Sequence, residues 1–90
     1  MNNERKKATA LKYDENIDAV PIVTAIGKGL IAETIIDKAK EENVPIVEDP
    51  TLVSLLQELN INEAIPEELY EAVAEVFAFI YHADKKLSEE

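Results

Sequence analysis

Pro21-Ile22-Val23-Thr24-Ala25-Ile26-Gly27-Lys28-Gly29-Leu30 is the stretch on which the fold turns. Residues 21–26 are almost continuously apolar and carry several β-branched side chains, the pattern of a strand covered on both faces. Pro21 suits the first position of such a strand, where a missing N–H does least damage. Gly27-Lys28-Gly29 then breaks the strand, and from Leu30 to about Glu42 the apolar period becomes helical. Ala32, Ile35, Ile36 and Ala39 share one face, with Ile31 at its edge, while Glu33, Asp37, Lys40 and Glu41 lie elsewhere. Asn43 suits a helix end. Val44-Pro45-Ile46-Val47 reads as a second short strand. Strand, helix and strand in this order form a βαβ unit, which favours parallel strands and a right-handed crossover. The expected class is therefore α/β: a small central sheet containing a right-handed βαβ unit, with helices packed around it.

Working outward, residues 7–13 alternate weakly and read as a half-buried strand, followed by the polar loop Asp14-Glu15-Asn16. On the other side, Asp49-Pro50 is a helix start. The carboxylate can accept from free N–H groups of the first turn, and proline at the first helical position loses no hydrogen bond. Leu52, Leu55, Leu56 and Leu59 form one apolar stripe, and Asn60-Ile61-Asn62 ends it. Ile65-Pro66-Glu67-Glu68 opens the last helix, with two carboxylates near the positive end of its dipole. Leu69, Ala72, Val73, Val76, Phe77 and Ile80 mark its buried face, and Ala74 and Ala78 flank it. The organisation expected is a disordered tail over residues 1–6, one domain over 7–83 and a charged tail over 84–90.

Composition narrows the class. Ninety residues suffice for one domain and too few remain for a second. Hydrophobic residues make up 47% and charged residues 31%, a globular balance. The absence of cysteine removes disulfides, thiolate metal sites and a cysteine nucleophile, and fits a cytoplasmic location. No apolar run approaches the ~20 residues needed to cross a bilayer, and Met1-Asn2-Asn3-Glu4-Arg5-Lys6-Lys7 has no apolar stretch behind it to make a signal peptide. A formal net charge of −10 argues against nucleic acid or an anionic membrane as partner.

Few residues invite chemistry. Gly27-Lys28-Gly29 lies where α/β proteins bind phosphate on helix N–H groups. A Walker loop, however, needs a longer turn and a Lys followed by Ser or Thr, and here Leu30 follows Gly29. A tight turn is the plainer reading. Asp14 and Glu15 at a strand end offer carboxylates for Mg²⁺, with Lys28 and Asp49 as possible companions, though Asp49 serves better as a cap. A small phosphate- or Mg-binding regulatory α/β protein is thus the alternative reading. His82 is the sole histidine, and with Ser54 it reads as solvated surface rather than as part of a catalytic set. Tyr70, Phe77, Phe79 and Tyr81 cannot all be buried by one helix face, and Phe79 and Tyr81 point away from it. Exposed aromatic area of this kind marks protein interfaces.

The order of motifs is specific. Ala10-Leu11-Lys12-Tyr13-Asp14 precedes Val20-Pro21-Ile22-Val23-Thr24-Ala25 and Gly27-Lys28-Gly29-Leu30. Val44-Pro45-Ile46-Val47-Glu48-Asp49-Pro50 follows, then Ile65-Pro66-Glu67-Glu68-Leu69-Tyr70-Glu71-Ala72-Val73-Ala74-Glu75-Val76. Over roughly residues 8–81 the chain resembles the cytoplasmic domain of the FlhB family of flagellar and virulence type III export switch proteins, as a stand-alone form without the membrane half. Family members cut themselves in an Asn-Pro-Thr-His loop. Asn3-Glu4-Arg5-Lys6 falls at that place and keeps only the Asn, so no self-cleavage is expected. The resemblance implies a non-enzymatic docking module in the cytoplasm, with no cofactor, metal or catalytic residue. Its implied partners are flagellar or type III export substrates or export-gate proteins, without nucleic acid or stable membrane insertion. By position, the docking patch that the resemblance implies is Val20, Pro21, Ala74 and Phe77.

Overall fold

The computed structural model describes residues 6–14 and 16–88, with side chains as far as Tyr81. Its elements are β1 (Lys7–Lys12), β2 (Ile22–Lys28), α1 (Leu30–Glu41), α2 (Pro50–Leu56), a 3-10 turn at Glu67–Leu69 and α3 (Tyr70–Ser88). The sequence expectations for residues 1–5, Asn3 included, fall outside the described residues, as do Glu15, Glu89 and Glu90, while Lys6 O accepts from Gly29 N–H at 2.8 Å.

β1 and β2 pair antiparallel, from Lys7 opposite Lys28 to Lys12 opposite Ile22. Ala10 faces Ala25 but Leu11 faces Val23, so Thr24 is the extra residue of a bulge. Its hydroxyl donates to the Ala10 carbonyl at 3.2 Å. The α/β class and the helices around a small sheet match the sequence reading. The right-handed βαβ unit does not. Residues 44–47 belong to no strand, and the sheet of the described residues is two-stranded and antiparallel. Pro45 has no N–H to give, and the side chains of Val44, Ile46 and Val47 stay exposed. Meanwhile the start of β2 finds its second neighbour elsewhere. The Val23 N–H donates to Glu63 O at 2.9 Å, Asn62 N–H to Val23 O at 2.7 Å and Ile65 N–H to Pro21 O at 3.1 Å.

A second correction concerns Gly27 and Lys28, which do not break the strand but complete it, opposite Ala8 and Lys7. Gly27 is buried because α1 crosses directly above it. A Cβ there would stand 2.5 Å from Ile31 Cγ2 and 2.9 Å from Ile35 Cδ1. The break is Gly29, at φ 59° and ψ −127°, a conformation open to glycine.

The helix ends follow local chemistry. Asn43, at φ 60°, closes α1 with Val44 N–H on Ala39 O at 2.8 Å and Asn43 N–H on Lys40 O at 3.2 Å, a Schellman ending. Asp49 caps α2 by accepting from Leu52 N–H at 3.0 Å, with Pro50 at the first position. The last helix begins more tightly than expected, as a 3-10 turn after Pro66. Leu52 and Leu56 of α2 meet Ile65, Leu69 and Val73 in the core, and Leu11, Val20, Leu59, Val76 and Phe77 pack around them. Gln57 ties α2 to the sheet: its Nε2 donates to Ala8 O at 3.0 Å and Gly27 O at 3.2 Å.

Candidate docking cleft

Residues 70, 73, 74 and 77 recur at helical spacing, so Tyr70, Val73, Ala74 and Phe77 form one wall of a cleft along α3. The facing wall is the connection between β1 and β2, with Tyr13, Ala19, Val20 and Pro21, and Ile65 closes the bottom. The cleft holds about 250 Å³.

Short-range hydrogen bonds shape the loop wall. The Asp14 carbonyl accepts from Ile17 N–H at 2.9 Å and Asp18 N–H at 2.6 Å, and its carboxylate accepts from Asn16 N–H at 3.0 Å. The Asp18 carboxylate accepts from Asp14 N–H at 3.2 Å and pairs with Lys12 at 3.5 Å. The turn delivers Ala19-Val20-Pro21 to the head of β2, where Ile65 N–H on Pro21 O fixes its end. Val73 and Ile65 are buried and form the floor. Tyr13 and Tyr70, 45% and 43% exposed, stand at the rim with exposed Ala74. The rings of Tyr13 and Phe77 lie 6.0 Å apart at 52°, closing one end.

Val20, Pro21, Ala74 and Phe77 therefore line a single cleft. Val20 and Phe77 are half-buried and also pack on the core, whereas Ala74 is open to solvent. Tyr13, Ala19, Ile65, Tyr70 and Val73 join the lining, which sequence reasoning alone does not assign to them. For Tyr13 and Tyr70 the signal is present, since each is an aromatic inside one of the motifs that carry the resemblance.

The other candidate residues do not assemble. Gly27-Lys28-Gly29 is not a free loop, since Gly27 and Lys28 sit in the ladder. Asp14 shapes its own turn and Asp49 caps α2, and an antiparallel pair of strands does not bring these groups to one sheet edge. Ser54 is exposed and accepts from Lys7 Nζ at 3.3 Å, and the His82 side chain lies outside the described residues. Phe79 is exposed on the side of α3 away from the cleft wall, as its spacing implies.

Residues 2–80 match the model of the FlhB HrpN YscU SpaS family. The chain belongs to this family of flagellar and type III export switch proteins. It is 52% identical over 82 residues to the uncharacterised Bacillus subtilis protein YlqH, covering 91% of this chain and 88% of that one. It is 43% identical over 82 residues to the flagellar biosynthetic protein FlhB of Escherichia coli, covering 90% of this chain and 22% of that protein. The crystal structure of the FlhB cytoplasmic domain from Shewanella putrefaciens superposes with a TM-score of 0.88 at 32% identity, over 94% of this chain and 67% of that one. The chain thus matches only a part of the FlhB proteins. Among the described residues no helix is long and apolar enough to cross a membrane.

Proposed function

We propose that this FlhB-family chain is a docking module of the flagellar or type III export system, acting in the cytoplasm and without chemistry of its own. It binds apolar segments of export substrates or of export-gate proteins in the cleft between α3 and the β1–β2 connection. One observation carries this reading. Val20 and Pro21 lie more than fifty residues from Ala74 and Phe77 in the chain, yet all four line one apolar cleft that opens to solvent. An open apolar hollow with aromatic residues at its rim suits capture of side chains from a protein partner. Asn3 lacks the Pro-Thr-His that accompanies self-cleavage in the family, so the chain stays intact in this reading.

The test is a pull-down from an extract of a flagellated bacterium with the tagged chain and with Ala74→Asp. Ala74 is exposed, so the variant keeps the fold, which circular dichroism checks. Export substrates or export-gate proteins are expected with the parent chain and absent with the variant. Unaltered recovery by Ala74→Asp removes the cleft from the reading, and recovery of unrelated proteins alone removes the export role.

A further inference from the structure

The cleft is lined by apolar and tyrosine side chains, and acidic residues neighbour that lining along the chain and the helix. On the α3 side, residues three and four apart are surface neighbours, so Glu71 stands one turn before Ala74. Glu67, in the 3-10 turn, stands one turn before Tyr70 and Glu71. Both carboxylates are exposed. On the loop side, Asp14 directly follows Tyr13 and is exposed. The cation nearest in sequence, Lys12, is engaged by Asp18. Asp14, Glu67 and Glu71 have no ion-pair partner among the described residues. The chain as a whole carries −10, so the field around the cleft has the same sign as its rim.

Resting on the docking reading above, we infer that the occupant of this cleft is a short apolar segment flanked by Lys or Arg. A volume of about 250 Å³ is below the roughly 300–1,000 Å³ of small-molecule sites and suits one or two aliphatic side chains. The apolar centre enters the hollow, and the flanking cations meet Glu67 and Glu71 on one wall and Asp14 on the other. An acidic segment of equal apolarity is repelled by the same rim. Glu67 and Glu71 are thereby specificity-determining residues, while Pro21, Ala74 and Phe77 supply the contact area.

Three fluorescent peptides with a common Ser-Val-Leu-Val-Ser centre and Lys, Ser or Glu flanks test this by anisotropy. The proteins are the parent chain, the double variant Glu67→Gln, Glu71→Gln, and Ala74→Asp. Exposed ion pairs change affinity by about two- to fivefold each, so the Lys-flanked peptide is expected to bind about tenfold tighter than the Glu-flanked one at low salt. That preference is expected to shrink in about 0.5 M NaCl and in the double variant, with the Ser-flanked peptide unaffected by the double variant. Equal binding of Lys- and Glu-flanked peptides, still lost in Ala74→Asp, overturns the charge selection and leaves the cleft as the docking site. Binding of no peptide, or binding indifferent to Ala74→Asp, overturns the cleft reading and this inference with it. A dimer of the parent chain that Ala74→Asp abolishes in sedimentation makes a second copy the occupant, and also overturns the inference.

Discussion

Gly27 marks the point where helix and sheet come closest, and it does so by having no side chain. A methyl group there meets Ile31 Cγ2 at 2.5 Å and Ala32 N at 3.1 Å, so the main chain of α1 as well as a branched side chain has to move. Gly27→Ala is expected to destabilise the domain by about 1–3 kcal/mol, as overpacking does elsewhere. Thermal melting followed by circular dichroism checks this, and an unchanged midpoint shows that α1 does not rest on that strand position. The cleft offers a contrast between two neighbouring side chains. Phe77 packs on the core as well as lining the cleft, so Phe77→Ala is expected to lose stability toward the about 3–5 kcal/mol of a buried Phe, together with binding. Ala74→Asp, at an exposed position, is expected to change stability by less than about 0.5 kcal/mol and to lose binding alone. Urea titration of both variants separates the two roles. That Val20, Pro21, Ala74 and Phe77 share a cleft is reached through the family resemblance, which places them by position. The role of Gly27 is not legible, because a sequence reveals glycine's freedom but not the helix that lies over it.

At the scale of elements, what is legible depends on how far a residue must reach for its partner. Asp49-Pro50 announces α2 because cap and acceptor are three residues apart, and the Asp49 carboxylate does meet Leu52 N–H at 3.0 Å. Asp49→Ala is expected to cost about 1 kcal/mol and Asp49→Ser much less, measured as shifts of the urea midpoint at constant slope. Equal losses in both variants point to packing rather than capping. Asn43 closes α1 for the same local reason. Residues 44–47 show the opposite case. Their apolar, β-branched composition fits a strand, but a strand exists only with a neighbour, and the neighbour is decided by the rest of the chain. The free side of β2 near residues 21–23 is occupied by residues 62–65, whose Asn, Glu and Ala carry no strand signal. The parallel crossover inferred from strand–helix–strand order therefore has no second strand to reach.

For the molecule as a whole, charge is expected to work on stability and on the proposed recognition in opposite directions. Nineteen acidic residues face nine basic ones, and a domain of 90 residues has little apolar area with which to offset their repulsion. The ion pairs of Lys12 with Asp18 at 3.5 Å and Lys38 with Glu42 at 3.6 Å keep at least one partner exposed and contribute under about 1 kcal/mol each. Repulsion, spread over clusters such as Glu41-Glu42 and Glu67-Glu68, is expected to outweigh them. Raising NaCl from about 20 mM to about 500 mM shortens the screening length from roughly 20 Å to roughly 4 Å, so the melting temperature is expected to rise. Chloride is the salt to use, because sulfate strengthens apolar burial on its own. A fall in melting temperature shows instead that the ion pairs outweigh the repulsion. Over the same salt range the Lys-flanked peptide is expected to bind more weakly. A rise in stability together with weaker binding of the Lys-flanked peptide is the outcome expected if the excess negative charge opposes folding while serving the docking proposed above.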